Sequence, residues 1–240
     1  MNDNNTKKSG LPRHICIIMD GNGRWASKRF MPRQLGHKAG MDRVIDIVEY
    51  SSNLGIEYLS LYAFSTENWK RPAEEVNALM ELLVVYIRNQ LNSLKKNNVK
   101  IHIMGDKSAL PNIARREIER SIKETENNTG MVLNLGINYG GRDEIIKACK
   151  ELYRQVQNEN MDIEKIDENM FSNYLYTANQ PDPDLLIRPG SEQRLSNFMI
   201  YQTAYTELYF TDVLWPDFGK TELDEAIDEY RKRKRRFGGL

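Results

Sequence analysis

The stretch HICIIMDGNGRW, residues 14–25, decides the fold, because an apolar run leads directly into a short loop that contains glycine. The apolar run predicts a buried β-strand. Gly21 and Gly23 lack a Cβ atom and can take positive φ, which lets successive backbone N–H groups turn toward one point. Arg24 adds a guanidinium suited to phosphate oxygens, and a helix is expected to begin near Trp25 with its positive end at the same place. The stretch therefore predicts a strand that ends in a phosphate-binding loop.

One carboxylate interrupts this anion-binding pattern. Asp20 lies between the predicted strand and the glycines. A carboxylate repels phosphate, so its presence points to a divalent cation between the two, and Mg²⁺ binds through oxygen ligands while keeping several waters. The alternative is an ordinary polar turn, because Asp, Asn and Gly are common turn residues. The loop alone leaves both interpretations open.

Length and composition bound the class of protein. The chain has 240 residues with 34 basic and 34 acidic side chains, which fits one α/β domain and gives no overall field that would attract nucleic acid. It has two cysteines and a polar beginning without an apolar signal region, so we expect a reduced, cytoplasmic protein. No apolar run approaches the about 20 residues of a spanning helix. Any membrane contact is therefore expected to be peripheral, at the inner face of the cell membrane.

The order of apolar patterns predicts the domain organisation. Residues 1–12 are expected to form a disordered polar arm, followed by one domain over residues 13–240. Helical spacing before Gly55, and prolines at positions 72 and 111, predict helices between the strands. Strand-like runs lie at 14–19, 56–64, 99–104, 131–138 and 184–187. This alternation predicts an α/β fold with a mostly parallel central sheet covered by helices.

Polar residues follow three of these strands. In a parallel sheet the carboxyl ends of the strands meet at one edge, where ligands bind. We therefore expect the side chains to form a site for two diphosphates and a bridging metal. Singly, each has a plainer explanation as a solvated charge or a rim aromatic. The residues are Asp20 after the first strand, Ser65, Glu67, Asn68, Trp69 and Arg71 after the second, and Arg188, Arg194 and Ser196 after the fifth, with Glu207 further on.

The segment 72–96 has an apolar band that covers more than one helical face. Such a band is buried on several sides or lines an apolar cavity. Core packing is the commoner explanation, but a neighbouring diphosphate site favours the cavity. We expect an apolar tunnel between the sheet and the helices.

Several motifs in order resemble one family, the cis-prenyltransferases, and most closely the bacterial undecaprenyl diphosphate synthases. Motifs in a fixed order are far more specific than a single one. They are MDGNGRWA (19–26), PRQLGHKAG (32–40), YAFSTENWKRP (62–72), NYGGRDEI (138–145), DLLIRPG (184–190), RLSNF (194–198) and WPDF (215–218).

The resemblance implies a homodimeric, Mg²⁺-dependent enzyme. Such an enzyme adds isopentenyl diphosphate repeatedly to an allylic diphosphate, usually farnesyl diphosphate, and forms cis double bonds. The expected product is a long-chain polyprenyl diphosphate such as undecaprenyl diphosphate, the lipid-carrier precursor of cell-wall synthesis. A shorter-chain synthase and a noncatalytic partner subunit are the alternatives. Such partners are expected to lack Asp20 or the SxENW loop at Ser65–Trp69, and both are present.

The resemblance also implies roles by position. Asp20 is the metal and catalytic carboxylate, Glu207 is the second metal carboxylate, and Asn68 orients groups near the departing proton, since a neutral amide is too weak a base to act alone. The tail Arg236–Gly238 reaches the partner subunit. The residues implied to contact substrate are Gly21, Asn22, Gly23, Arg24, Arg33 and His37 for the allylic diphosphate, Trp25 for the prenyl chain, Ser65, Thr66, Glu67, Trp69 and Arg71 in a closing loop, and Arg188, Arg194, Leu195 and Ser196 for isopentenyl diphosphate.

Two positions depart from the family pattern. Pro189, Gly190, Ser191 and Glu192 stand where the family commonly has a Ser-Gly-Glu turn, which leaves the turn geometry open. Gln193 is a weak metal ligand, so no metal role is assigned to it.

Other functions fit parts of the sequence. Gly21, Gly23 and Ala26 match the dinucleotide fingerprint G-x-G-x-x-A, but Asp20 would meet the pyrophosphate and no acidic residue ends the second strand to bind the ribose. A trans-type prenyl synthase is disfavoured because the chain lacks a DDxxD cluster. The basic run Arg231–Arg236 can attract anionic lipid or can be a solvated helix end, and the second is the commoner case.

Overall fold

A six-stranded parallel sheet forms the centre of the protein. The computed structural model describes residues 10–234. All pairings between its strands are parallel, so the expected α/β fold with a mostly parallel sheet is confirmed. The strands are β1 (His14–Ile18), β2 (Tyr58–Ser65), β3 (Lys100–Met104), β4 (Val132–Tyr139), β5 (Leu185–Pro189) and β6 (Glu207–Thr211), in the spatial order β3-β4-β2-β1-β5-β6.

Helices connect the strands. The predicted helix before Gly55 ends at that residue, whose φ of 90° closes it. Pro72 and Pro111 each directly precede a helix rather than occupy its first turn, because their ψ angles of 139° and 142° are still extended. The helices are α1 (Asn22–Ser27), α2 (Arg33–Leu54), α3 (Ala73–Lys96), α4 (Asn112–Thr125), α5 (Gly141–Glu159), α6 (Glu168–Ser172) and α7 (Lys220–Lys232), with 3₁₀ helices at Thr66–Lys70, Lys107–Ala109, Ile163–Lys165 and Trp215–Asp217.

The main core lies on one face of the sheet. Strand side chains alternate between faces, so Ile15 and Ile17 of β1 point to this face. There they pack with α2, α3, α4 and α7, represented by Ile47, Leu83 and Ile118. None of the helices within residues 10–234 is both long and apolar enough to cross a bilayer.

Two expectations need correction, one about the number of strands and one about the length of the N-terminal arm. β6 has no counterpart among the predicted strands. The predicted arm over residues 1–12 is too long, because Leu11 packs against the main core and Pro12 is buried. Residues 1–9 and the implied tail Arg236–Gly238 lie outside the described residues.

A polar network holds the opposite face of the sheet together. The ring of His14 contacts the Pro181 carbonyl and the Ser60 hydroxyl, both at 2.7 Å. Asn134 donates to Ser60 at 3.0 Å and to Gln180 at 2.7 Å. Three strands and the segment before β5 are thus joined by hydrogen bonds, which satisfies polar groups that would be costly to bury alone.

The burial of His14 makes the stability of this fold depend on pH. Burial lowers the pKa of His14 to about 4, against which the hydrogen bond to Pro181 acts only in part. An unfolded imidazole has a pKa of about 6.5, so the unfolded state binds more protons between these values and the free energy of unfolding falls as the pH falls. We expect this group to remove about 2 kcal/mol between about pH 7 and about pH 5, measured by urea denaturation.

The variant His14→Gln provides the control, because it keeps a polar side chain and removes the titrating group. Between about pH 7 and about pH 5, its free energy of unfolding should fall by about 2 kcal/mol less than that of the unchanged protein. Equal losses in the two proteins would contradict the assignment to His14.

Candidate active site

The carboxyl ends of three neighbouring strands gather the polar segments. β1 lies between β2 and β5. Asp20 follows β1, the 3₁₀ helix Thr66–Lys70 follows β2, and Arg188 lies near the end of β5. Parallel pairing therefore brings these segments to one edge, where open α/β sheets bind their ligands.

The turn after β1 depends on Gly21, which has a φ of 104° and leads into α1. A Cβ atom at Gly21 would lie 2.9 Å from the Leu214 side chain. Two glycines of α2 leave even less room for a Cβ atom, in both cases because of Asn22. A Cβ atom at Gly36 would come within 2.0 Å of the Asn22 carbonyl oxygen, and one at Gly40 within 2.2 Å of its Oδ1 atom. Because these glycines have no side chain, α1 packs closely against α2. This packing fixes the position of the loop between β1 and α1.

Asp20 lies between two guanidinium groups. Its Oδ2 atom accepts a hydrogen bond of 2.9 Å from Arg188, its Oδ1 atom lies 3.3 Å from Arg24, and Oδ1 also accepts from the Gly21 N–H at 2.6 Å. The Asp20 side chain remains 31% exposed. One carboxylate cannot balance two arginines, so the site keeps positive charge for an anionic ligand while Asp20 still has an accessible side.

Arg188 is the buried cation of the site, with a side chain only 4% exposed. Besides Asp20, it donates from Nη1 to the Ser196 hydroxyl at 2.7 Å and to the Arg194 carbonyl. Its Nε atom is buried and has no hydrogen-bond partner among the described residues. Since an unpaired buried donor is costly, this N–H fits a ligand oxygen.

The structure defines the turn after β5, whose geometry the sequence left open. Gly190 and Ser191 both have left-handed backbones, with φ of 94° and 67°. Their N–H groups donate to Val213 and Thr211, at 2.8 Å and 2.9 Å. A Cβ atom at Gly190 would lie 2.9 Å from the Arg24 guanidinium. The turn therefore lies directly against the loop after β1.

The segment after β2 is held by its own side chains. Asn68 accepts a hydrogen bond of 3.0 Å from the Ser65 N–H, which caps the 3₁₀ helix Thr66–Lys70. Trp69 donates from Nε1 to Asn138 at 2.7 Å. The Asn68 carbonyl is thus used within the protein, and its amide Nδ2 is the end left for a substrate.

Asn197 is a site residue that the sequence reasoning did not assign. It donates to Glu67 at 2.9 Å and accepts from the Arg142 N–H at 2.9 Å, so it joins the loop after β2 to the loop after β5. Burial raises the pKa of Glu67, but hydrogen bonds from its own N–H and from Asn197 outweigh this and hold the pKa below its ordinary value. The only sequence signal was that asparagine tolerates positive φ, which is 66° at Asn197.

Glu75 of α3 faces three residues implied to bind diphosphate. Its carboxylate lies 2.7 Å from Arg71, 3.5 Å from Arg33 and 3.7 Å from His37. Burial, followed by the charge of Arg71, lowers the pKa of His37 to about 4, so its imidazole is neutral at neutral pH. The negative charge of Glu75 therefore lies where the guanidinium groups of Arg33 and Arg71 come together.

The structure brings most of the expected site residues into two adjoining polar pockets. The smaller has a volume of about 150 Å³ and the larger about 550 Å³, and both reach Asp20, Asn22, His37 and Arg71. The smaller pocket also has Gly21, Gly23, Arg24 and Arg33 in its wall, and the larger has Ser65, Glu67, Asn68, Arg188, Arg194 and Ser196.

An apolar cavity extends from the polar pockets between the sheet and helices α2 and α3. Its wall includes Met19, Val44, Phe64 and Leu83, and it shares Tyr62 with the larger polar pocket. Its volume is about 60 Å³. Because an apolar cavity that binds benzene measures about 150 Å³, this one is too small to enclose a prenyl chain as it stands. The cavity lies where the tunnel was expected.

Glu207 does not reach this site within one chain. It begins β6 and is in register with Leu185, which begins β5, so it lies at the amino edge of the sheet. Its carboxylate pairs with Arg233 at 2.9 Å. The five residues of β5 span about 13 Å, so placing Glu207 at the same edge as Asp20 was wrong.

Four other expected contacts lie outside both polar pockets. Trp25 donates to Asp217 at 2.7 Å and stacks under Arg29 on the outer side of α1. Leu195 packs in the core of the opposite sheet face, and Trp69 is bound to Asn138. The fourth is Thr66, in the capped 3₁₀ helix.

Sequence relatives show the family to which the chain belongs. A family model described as undecaprenyl diphosphate synthase matches residues 18–238. The isoprenyl transferase of Clostridium tetani is 55% identical over 96% of this chain and 90% of its own length. That of Bacillus subtilis is 50% identical over 97% of this chain and 90% of its own length.

Solved structures agree with the sequence relatives. Lavandulyl diphosphate synthase from Lavandula x intermedia, in complex with dimethylallyl diphosphate, has a TM-score of 0.93 at 36% identity and covers 96% of this chain and 100% of its own. A structure from Campylobacter jejuni described as a probable undecaprenyl diphosphate synthase has a TM-score of 0.78 at 35% identity, over 95% and 98% of the two chains. The resemblance seen in the motifs is thus confirmed, and the chain belongs to the undecaprenyl diphosphate synthase family of prenyltransferases.

Proposed function

We propose that this protein condenses isopentenyl diphosphate with an allylic diphosphate, farnesyl diphosphate being the expected primer, and repeats the addition with cis double bonds. The observation that carries the proposal is the junction at Asp20, where two cationic pockets adjoin and an apolar cavity opens beside them. A diphosphate head suits the cationic pockets, and its apolar tail would be directed toward the cavity, which must widen to hold it. The incubation of the protein with both diphosphates and Mg²⁺, followed by chain-length analysis, tests it.

The smaller pocket suits the allylic diphosphate. Arg24, Arg33 and Arg71 surround it, and the neutral imidazole of His37 can donate a hydrogen bond. His37 and Asn22 also border the apolar cavity, so a diphosphate held here would direct its tail between α2 and α3.

The larger pocket suits isopentenyl diphosphate. Arg188 offers its unpaired Nε–H, and Arg194 and Ser196 lie beside it. Because both pockets reach Asp20, the two substrates would meet with their diphosphates close together. The allylic carbon–oxygen bond would break with its electrons leaving on diphosphate, and the isopentenyl double bond would attack that carbon. The proton lost from the adjacent carbon would pass to a diphosphate oxygen, a water or Asp20, with Asn68 orienting these groups.

Asp20 fits a magnesium ion that arrives with substrate. Within residues 10–234 there is no group of three or more His, Cys, Asp or Glu side chains arranged for a metal. Mg²⁺ is commonly held by one or two carboxylates together with substrate phosphates, which an accessible Asp20 can provide. When bound, the ion would stabilise negative charge on the departing diphosphate.

The product is proposed to be a long polyprenyl diphosphate such as undecaprenyl diphosphate. Each added unit buries about five carbons, worth about 4 kcal/mol at about 0.8 kcal/mol per CH₂. Release of so apolar a product would be faster into a membrane, so we propose that the enzyme works at the cytoplasmic membrane face. The family resemblance supports a homodimer. Because the cavity must widen for any prenyl tail, chain-length analysis decides between the long product and a shorter one, which is the second candidate.

The first prediction concerns Asp20. In Asp20→Asn the shape and one acceptor for Arg188 remain, but the negative charge is lost. We expect isopentenyl incorporation to fall by a factor of about 10² to 10³. Asp46→Asn, which removes an exposed carboxylate from α2, is the control and should retain activity. Undiminished incorporation in Asp20→Asn, with an unchanged thermal unfolding curve, would exclude the proposed role.

The second prediction separates two roles of Asn68. Asn68→Asp keeps the oxygen that caps the helix after Ser65 and loses the amide donor, whereas Asn68→Ala loses both. If the amide orients a substrate, both variants should lose incorporation to a similar degree, at least tenfold. Activity retained in Asn68→Asp alone would show that Asn68 acts only as a cap.

The third prediction concerns Glu75. Glu75→Gln removes the charge that competes for Arg71 and Arg33, so inorganic pyrophosphate should bind about tenfold more tightly, equivalent to about 1.4 kcal/mol. Calorimetric titration measures the change. Glu74→Gln, one residue earlier and exposed, is the matched control. Equal affinities in the two variants would mean that Glu75 does not occupy the diphosphate position.

A further inference from the structure

The connection between α1 and α2 forms an exposed projection. Residues 27–35 are nine consecutive exposed residues, and we call them the tip. They include Phe30, Met31 and Leu35, whose exposed fractions are 99%, 43% and 45%. A fully exposed phenylalanine beside two further apolar residues is unusual on a surface that has no partner.

The backbone of the tip holds Phe30 outward. Its φ is 56°, which is uncommon for an aromatic residue and carries a conformational cost. The Phe30 N–H donates to the Ser27 carbonyl at 3.1 Å, and the Met31 N–H donates to the Ala26 carbonyl at 3.0 Å. The ring is therefore presented to solvent by a hydrogen-bonded turn.

The charged residues in the sequence of the tip and its flanks have one sign. Residues 21–41 contain five Lys or Arg side chains and no Asp or Glu, although the whole chain is balanced. Three of the five are ion-paired, namely Arg24 with Asp20, Arg29 with Asp217 and Arg33 with Glu75. Lys28 and Lys38 make no ion pair within the part of the chain that the structure describes. Basic residues around exposed apolar ones are complementary to a surface with anionic headgroups above an apolar layer.

In the basic run Arg231–Arg236, the described cations Lys232 and Arg233 have carboxylate partners. Lys232 pairs with Glu229, and Arg233 pairs with Glu207 and Glu229. These cations are neutralised by neighbours. The tip, by contrast, combines Lys28, which has no ion pair among the described residues, with exposed apolar side chains.

The tip also borders the site. Arg33 belongs to both the tip and the smaller polar pocket. A surface that bound the tip would lie next to the pocket entrance and to the wall formed by α2. This placement suits an enzyme whose product is apolar, and in that respect the inference rests on the proposed function.

We propose that the tip docks the protein on an anionic bilayer by inserting Phe30 and Met31 among the lipid headgroups, with Lys28 and Lys38 above the phosphates. The probe is the full chain mixed with vesicles of phosphatidylglycerol and phosphatidylcholine, or of phosphatidylcholine alone, and sedimented. The test variant is Phe30→Asn with Met31→Gln, because asparagine tolerates the φ of residue 30. Tyr205→Ser, an equally conspicuous exposed aromatic at 68%, is the matched control.

We expect the unchanged protein to sediment with the anionic vesicles and at least tenfold less with the neutral ones. The double tip variant should partition about tenfold more weakly, whereas Tyr205→Ser should change by less than twofold. Lys28→Gln with Lys38→Gln should weaken binding to the anionic vesicles only. Far-ultraviolet circular dichroism and thermal unfolding confirm that each variant is folded.

Sedimentation of the double tip variant equal to that of the unchanged protein would overturn the proposal. A loss of dimer mass in analytical ultracentrifugation on changing the tip, without lipid, would also overturn it and assign the surface to a second copy of the chain. Isopentenyl incorporation in detergent is measured separately and should be the same in the tip variant. Failure of incorporation in the unchanged protein would reject the prenyl-transfer proposal and leave the vesicle result standing.

Discussion

The burial of the Arg188 guanidinium beneath the carboxyl edge of the sheet constrains the rest of the site. A buried cation is costly unless it is paired and hydrogen-bonded, and removal of one partner leaves its charge uncompensated. Asp20 supplies the opposite charge from β1, and Ser196 supplies a hydroxyl from the loop after β5. The same contact thus ties two strands, positions the substrate loop and leaves one N–H for a ligand.

The electrostatics of the site follow from this contact. Asp20 shares its charge between Arg188 and Arg24. The site contains five arginines and four carboxylates, namely Arg24, Arg33, Arg71, Arg188 and Arg194 against Asp20, Glu67, Glu75 and Glu192. Glu75 partly offsets this excess by drawing Arg71 and Arg33 together. A diphosphate carries more negative charge than one carboxylate, so it can replace Glu75 as the partner of these cations.

Much of the architecture could be predicted because it depends on local patterns. Continuous apolar runs and helical spacing identified five strands and their helices, and parallel pairing then placed the polar segments after β1, β2 and β5 at one edge. Register could not be predicted, because apolar alternation does not say which residue pairs with which. That is why Glu207 was placed at the wrong edge. β6 was missed because it is a half-exposed edge strand without a continuous apolar run. The contacts of Glu75 and Asn197 were missed because they join segments distant in sequence.

The ion cluster at Glu75 also bears on the width of the apolar cavity. Glu75 begins α3, whereas Arg33 and His37 begin α2, so the cluster ties together the two helices that form the wall over the cavity. The cavity of about 60 Å³ must widen before a prenyl tail can enter. A diphosphate that takes Arg33 and Arg71 from Glu75 removes this tie at the point of entry. The Glu75 carboxylate therefore connects the polar pocket to both helices that line the apolar cavity.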